Sequence, residues 1–311
     1  MAKRPGPVEV AQDTILVVGG TGFIGRAIVE SALKQNFTVT VLSKNPIQHV
    51  SHFEHIVVDI ADREAVFDQL QGKHFDHVIN LGGYVDHARY SQGGDLVYAA
   101  HFLGVKNLVD CLLGSSIKTF VQIGSSDEYG NNPAPQQESQ REAPFSSYSL
   151  AKALATHFLQ TMYQVEGFPA AVLRPFLVYG PGQNAQRFLP QIIQNCLKDQ
   201  VFPVSKGEQL RDFCFIDDFV HAVFLTLNNH RASGQVINVS SGQPIAIKEM
   251  VEKVIRITSS GQPEFGKVPF REGENMSLYA DISKAKSLLG WTPKVTLDQG
   301  LKEMLRWFQQ Q

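Results

Sequence analysis

Tyr148 and Lys152 stand four residues apart in the stretch YSLAK, inside a run from about Ser147 to Val165 whose apolar spacing predicts a helix. That spacing puts both side chains on one helix face. An ammonium close to a phenol favours the phenolate and lowers its pKa, so the tyrosine could exchange a proton near neutral pH. In isolation, Y-x-x-x-K occurs by chance in many helices. A second stretch, IGSSDEYGNN at 123–132, continues the apolar run KTFVQIG with two serines, two acids and a tyrosine. It reads either as a strand exit built of turn residues or as the source of a catalytic hydroxyl, with Asp127 and Glu128 open as partners in the chemistry.

These groups need a scaffold, and the chain supplies one from Thr14 onward. TILVV, FTVTVL, HIVVD, DHVINL, KTFVQIG and PAAVLR read as strands. Helical patterns separate most of them, among them GFIGRAIVESALKQ, ADREAVFDQL and a long stretch from about Asp95 to Leu113. Strands alternating with helices imply a parallel sheet covered on both faces. After Arg174 the rhythm breaks into loops, short helices and short strands such as QVINVS. The expected fold is α/β: a doubly wound parallel sheet (Rossmann) with a smaller C-terminal substrate-binding lobe. The expected division is a flexible tail at 1–13, a nucleotide-binding domain at 14–174 with about 213–242, and a lobe at 175–212 with 243–311. Ligands of such sheets collect at the carboxyl ends of the strands, where both chemical stretches lie.

GGTGFIG (Gly19–Gly25) joins the first strand to the first helix, fitting G-x-G-x-x-G at Gly20, Gly22 and Gly25 and G-x-x-G-x-x-G at Gly19, Gly22 and Gly25. Glycines are needed where the chain turns tightly and backbone approaches a pyrophosphate at a helix N-terminus. At this junction the pattern indicates dinucleotide binding. The second strand ends in Ser43 and Lys44, where an NAD site usually carries a carboxylate for the ribose 2′-hydroxyl. A serine and a lysine suit a 2′-phosphate, so the expected cofactor is NADP(H), with tightly bound NAD as the alternative. Asp59, closing the third strand, is placed to pair with the adenine amino group.

Composition narrows the class. The chain has 311 residues, 43% apolar and 19% charged, the balance of an ordinary globular protein. A net charge of −2 gives no electrostatic footprint for nucleic acid or an anionic membrane. No apolar run approaches the roughly 20 residues of a membrane span. Cys111, Cys196 and Cys214 show no metal-ligand spacing, so no metal is expected, and they suit a reducing compartment, with the cytoplasm as the default.

Taken together, VVGGTGFIG, IGSSDEYG, YSLAK, LRPFLVYGPGQ, RDFCFIDDFVHA and ADISKAKSLLGWTP resemble an extended short-chain dehydrogenase/reductase of the NAD-dependent epimerase/dehydratase branch, which acts on nucleotide sugars. The likeness covers nearly the whole chain. It implies that Tyr148 is the general acid or base at a sugar oxygen, that Ser125 hydrogen-bonds the same oxygen, and that Lys152 grips the nicotinamide ribose. The cofactor contacts implied are Gly19, Thr21, Gly22, Phe23, Ile24 and Gly25 in the first turn; Ser43, Lys44, Asp59 and Ile60 at the adenosine end; and Leu81, Gly82, Gly83, Tyr148, Lys152 and Pro175 near the nicotinamide. Arg211 and Arg271 resemble the arginines that clamp the diphosphate, with Arg187 a third candidate. Tyr84, Asp86, Ser126, Asp127 and Leu177 complete the expected substrate set. Leu177 and His101 replace asparagines common in the family, and Gly82–Gly83 replace a small pair, usually two alanines. His101 either relays protons as that asparagine does or simply packs.

The same resemblance offers three reactions. A 4,6-dehydratase needs an extra acid–base pair, typically Thr-Asp-Glu or Thr-Ser-Glu before the YG pair. Here that stretch is Ser125-Ser126-Asp127, and strand-like alternation directs Glu128 away. A 4-epimerase retains NAD, whereas a 4-ketoreductase consumes NADPH. The Ser43–Lys44 pair points to NADPH-dependent reduction of a nucleotide-diphosphate 4-keto-6-deoxyhexose, and the resemblance implies a homodimer packed through the long helices near 95–113 and 147–165. The alternatives are an NAD-dependent nucleotide-sugar 4-epimerase and then a 4,6-dehydratase. A non-catalytic NADP-binding sensor would usually lose the tyrosine or the lysine, and both are present.

Overall fold

The computed structural model describes residues 12–47, 52–86, 89–270 and 273–311. In chain order its first half comprises β1 (Thr14–Val18), α1 (Phe23–Lys34), β2 (Thr38–Ser43), β3 (Glu54–Val57), α2 (Arg63–Leu70), β4 (His77–Asn80), α3 (Gly94–Tyr98), α4 (Gly104–Leu112), β5 (Thr119–Ile123), α5 (Ser147–Glu166) and β6 (Ala170–Pro175). It continues with β7 (Leu177–Tyr179), α6 (Phe188–Leu197), β8 (Val201–Val204), β9 (Leu210–Phe215), α7 (Ile216–Thr226), β10 (Val236–Val239), β11 (Pro244–Ala246), α8 (Ile247–Thr258), β12 (Gln262–Phe265), β13 (Ser277–Leu278), α9 (Ser283–Leu289) and α10 (Leu297–Gln309).

Seven strands form one parallel sheet in the order β10-β6-β5-β4-β1-β2-β3. Its strands are almost continuously apolar because both faces are covered. Alternate residues enter opposite cores: Ile15, Val17, Val121 and Leu173 pack on one side, and Leu16, Val18, Phe120 and Val172 on the other. The first core includes residues of α1 and α7, and the second includes residues of α2, α4 and α5. The chain reverses its direction of growth between β1 and β4, leaving a crevice outside their carboxyl ends.

A second sheet has the order β11-β9-β13, with β7 also pairing with β9. A third consists of β12 and β8 in parallel. The fully buried Asp212 in β9 ties the second sheet to the turn after β10, its carboxylate accepting the N–H groups of Ser241 and Gly242 at 2.9 and 3.0 Å. The long helical stretch expected near 95–113 is a single path in three parts. Between α3 and α4, residues Ala99–Leu103 form a π turn in which the Gly104 N–H bonds to the Ala99 carbonyl. No helix among the described residues is long and apolar enough to cross a membrane.

Candidate active site

The glycine turn after β1 is shaped for close backbone approach. Gly19 has φ +78°, and a Cβ at Gly25 would overlap the Gly19 carbonyl oxygen. The turn thus packs directly on the first turn of α1, whose N-cap is Gly22. Thr21, Phe23 and Ile24 flank it at the positive end of the helix. Leu81 and Gly82 follow β4 alongside, and a Cβ at Gly82 would come within 2.6 Å of Ile60. These positions form a cradle that fits a dinucleotide pyrophosphate.

At the outer end of the cradle, Ser43 is buried and already engaged. Its hydroxyl donates to the Asn45 carbonyl at 2.8 Å and shares a 2.8 Å hydrogen bond with His55 Nε2. Lys44 pairs with Asp59 at 2.7 Å, their side chains 73% and 37% exposed. Burial opposes the Asp59 charge, but Lys44 and the Ala61 N–H bring its pKa down. Of the two groups expected to receive a 2′-phosphate, Ser43 is therefore buried and hydrogen-bonded within the protein, while Lys44 is exposed and paired with the residue assigned to adenine.

The reacting end gathers at the carboxyl edge of β5. Ser125 caps a 3-10 turn, Ser126–Tyr129, with its hydroxyl accepting the Asp127 N–H at 3.1 Å. Tyr148 on α5 hydrogen-bonds Ser125. Lys152, one turn along, donates to the Ile123 carbonyl at 2.7 Å and lies 5.9 Å from the Tyr148 ring centroid. All three side chains are buried. Pro175 ends β6, and Leu177 opens β7 at the surface.

The pKa of Tyr148 moves opposite to the sequence-based expectation. Burial raises it, Asp127 and Glu128 add to the rise, and the Ser125 hydrogen bond and Arg187 oppose it without prevailing. Burial lowers Lys152 to about 8, against the opposing charge of Glu128. The reason is desolvation: a helix-face spacing places the two groups together but says nothing of how deeply the sheet edge covers them.

His101, in the π turn, stands edge-on to Tyr148 with ring centroids 5.0 Å apart. Its Nε2 lies 2.7 Å from the Tyr84 carbonyl oxygen, and its Nδ1 is buried without a partner among the described residues. Burial first, then Lys152, lowers its pKa to about 3, so the ring stays neutral near neutral pH. Gly83 packs directly against it, and a Cβ there would overlap the imidazole. Tyr84 is held by its backbone to His101, the two ring centroids 6.1 Å apart.

The other expected substrate residues separate into groups. Asp127 and Arg187 both act electrostatically on Tyr148, and Ser126 is buried on the same 3-10 turn. Arg187 is the N-cap of α6 and is exposed. Arg211 lies on β9, pairs with Glu274 at 2.6 Å and donates to the Leu210 carbonyl. Leu177 is on β7, in register with Phe213 of the same β9 strand. Asp86 lies beyond Tyr84 and is half-buried. Arg271 lies outside the described residues.

Sequence reading overlooked a buried ionic network behind Ser125. Glu128 accepts the Ser125 N–H at 2.8 Å, the Thr156 hydroxyl at 2.8 Å and Arg174 Nε at 2.9 Å. Arg174 also pairs with Glu142, which faces His157 at 3.1 Å. The pattern S-x-x-E at 125–128 is a capping-box signature that could have revealed the first of these bonds.

A family model described as the NAD dependent epimerase/dehydratase family matches residues 15–240. The chain belongs to that family. Among its relatives, the putative UDP-glucose 4-epimerase of Methanocaldococcus jannaschii is 29% identical, aligned over 94% of this chain and 97% of that protein. A dTDP-glucose 4,6-dehydratase of Haemophilus influenzae is 25% identical over 94% and 97%. A UDP-glucuronic acid 4-epimerase of Bacillus cereus, solved with a fluorinated UDP-glucuronic acid and NAD, superimposes with a TM-score of 0.83 at 26% identity, covering 96% of this chain and 99% of that one. The chain is thus an extended short-chain dehydrogenase/reductase of the epimerase/dehydratase type, with the Rossmann fold of that group.

Proposed function

We propose that this epimerase/dehydratase-family member is an NAD-dependent nucleotide-sugar 4-epimerase acting on a nucleotide-diphosphate hexose. The observation that carries this reading is the commitment of Glu128 to Ser125, Thr156 and Arg174. With Ser126 at the position of the usual aspartate, Asp127 is the one acid left beside Ser125 and Tyr148 among the described residues. A dehydratase of the Thr-Asp-Glu type needs a second acid there; an epimerase needs only the serine, tyrosine and lysine.

NADPH-dependent 4-ketoreduction, the reading that the Ser43–Lys44 pair first suggested, is placed behind the epimerase: Ser43 is buried and hydrogen-bonded within the protein, and Lys44 would have to exchange Asp59 for a 2′-phosphate. Relatives named as 4-epimerases and 4,6-dehydratases, and a neighbour solved with NAD, favour the alternative. Bound nicotinamide dinucleotide would supply a reversible hydride acceptor. Tyr148 takes the proton of the sugar C4 hydroxyl during oxidation and returns it during reduction, Ser125 holds that oxygen, and Lys152 is assigned to the nicotinamide ribose. Arg187 and Arg211 are assigned to the diphosphate, and Arg211 would exchange Glu274 for phosphate oxygens. Exposed Leu96, Leu103 and Leu150 on α3, the π turn and α5 suit a homodimer, and three free thiols suit the cytoplasm.

A second reading, 4,6-dehydration, draws on Asp127 and on the dTDP-glucose dehydratase relative. Incubation with UDP- and dTDP-linked hexoses and NAD, followed by chromatography, separates the cases. Interconversion of C4 epimers without net change in the reduced-nicotinamide band is expected. Accumulation of a 4-keto-6-deoxy sugar would install the dehydratase instead. Stoichiometric NADPH loss with a 4-keto-6-deoxy substrate would restore the ketoreductase.

A further inference from the structure

Glu128 is a fully buried carboxylate at the back of the reacting groups. One oxygen accepts the Ser125 N–H at 2.8 Å; the other accepts Thr156 Oγ1 at 2.8 Å, Arg174 Nε at 2.9 Å and Arg174 Nη2 at 2.7 Å. These four donors approach the full capacity of a carboxylate. Gly124 leaves the space for it, since a Cβ there would come within 2.6 Å of Glu128 Oε1. A buried ion pair is often no more stabilising than apolar packing of the same volume. Its partners therefore matter more than its contribution to stability, and one of them is the peptide of the proposed catalytic serine.

We propose that Glu128 is a positioning residue for the reacting groups: it fixes the Ser125 peptide, and through it the serine hydroxyl, against Tyr148, and its bond to Thr156 sets its negative charge one helical turn from buried Lys152. Its effect on turnover rests on the epimerase reading; its effect on Lys152 does not. The charged and titratable groups around the pair are few. Tyr148 is faced by Asp127 and Glu128 from the 3-10 turn, by Arg187 from the start of α6, by His101 from the π turn and by Lys152 on its own helix. Lys152 feels Glu128, which favours the ammonium, and acts in turn on neutral His101. Arg174, Glu142 and His157 lie on the far side of Glu128.

The test is Glu128→Gln in the full-length protein, which keeps the side-chain size and one acceptor oxygen while removing the charge. Lys152 ionisation is read by NMR of lysines labelled at Cε, with Lys152→Met assigning the resonance. The Lys152 midpoint is expected to move about half a pH unit or more toward acid, since an opposite charge has been removed. Turnover of the epimerised sugar nucleotide is expected to fall about tenfold in kcat with KM nearly unchanged. Glu128→Asp, which keeps the charge, is expected to recover most of the Lys152 midpoint. Because Arg174 loses a partner, Glu128→Gln/Arg174→Met is made in parallel; it is expected to regain stability while Lys152 stays shifted. An unmoved midpoint in folded Glu128→Gln, or its return to the wild-type value in the double variant, would make Glu128 a purely structural residue. Wild-type protein that turns over no nucleotide sugar would sink the epimerase reading and leave the Lys152 measurement decisive.

Discussion

The ion cluster at the amino end of the seven-stranded sheet and the reacting groups at its carboxyl end hold their protons in different ways. At the amino end, Asp76 accepts the Thr14 N–H at 2.8 Å and the Thr14 hydroxyl at 2.9 Å, and Lys118 reaches Asp13 at 2.7 Å and Asp76 at 3.1 Å. His77, fully buried, turns Nε2 to Asp13 at 3.3 Å. Each charge there meets an opposite one, and together they tie β1, β4 and the approach to β5. At the carboxyl end Lys152 donates to a carbonyl, and burial raises Tyr148, with Asp127 and Glu128 adding to the rise. The amino end is arranged for cohesion. The carboxyl end holds groups whose pKa values burial has displaced, a pattern that clusters at functional sites.

The comparison is tested most severely by Tyr148→Phe. On the epimerase reading it should lower kcat by about 10²-fold or more while leaving NAD affinity and the thermal midpoint near wild type, measured by turnover, calorimetric titration and thermal denaturation. A loss of stability without loss of rate would erase the distinction between the two ends. Asp76→Ala at the amino end should do the reverse, costing about 2 kcal/mol as hydrogen bonds to a charged group are lost, read from denaturant unfolding, with kcat unchanged.

Two pH dependences should separate as well. Lys152 has a folded pKa of about 8, so in the free protein its ammonium, and the rate that depends on it, should decline as pH rises through that value. The amino end should respond to acid. The folded pKa of His77 is lowered, by burial above all, so its cost to stability appears as pH falls below its unfolded value and grows until the folded group protonates. Asp13 and Asp76 also have lowered pKa values, against burial, so their stabilisation is complete above the unfolded value and lost as pH falls through the folded one. Thermal midpoints measured against pH should show the first limb flattened in His77→Gln. The smallest effect belongs to Lys44→Ala, which breaks an exposed ion pair and should change NAD affinity by less than about threefold. A large selective loss of NADP affinity would instead revive the 2′-phosphate reading.

The parallel sheet was legible because strands such as TILVV and TFVQI are mostly apolar, and the glycine turn because its spacing answers a backbone requirement. Tyr148 and Lys152 followed from one helical turn. Lys44 and Ser43 were legible as residue types but not as partners, since Asp59 and His55 reach them from the neighbouring strand and its exit. The carboxylate of Glu128 was invisible for a related reason: its partners Thr156 and Arg174 lie 28 and 46 residues away. Local pattern carries spacing, and the pairing of distant polar groups appears only when the sheet brings their loops together.

The π turn at Ala99–Leu103 inserts an extra residue into an otherwise regular helical path. Each residue of an α-helix rotates the side-chain direction by about 100°, so the insertion sets the rotational phase of α4 independently of α3. The first half can keep its face against α5 while the second presents Val105, Leu108, Val109 and Leu112 to the core beneath α2. Deleting one residue between 99 and 103 would let the two halves fuse into a uniform helix. One of them would then have to turn its apolar stripe toward water, and His101 would swing away from Tyr148. The length of this segment is therefore as strict a requirement as the identity of any residue in it.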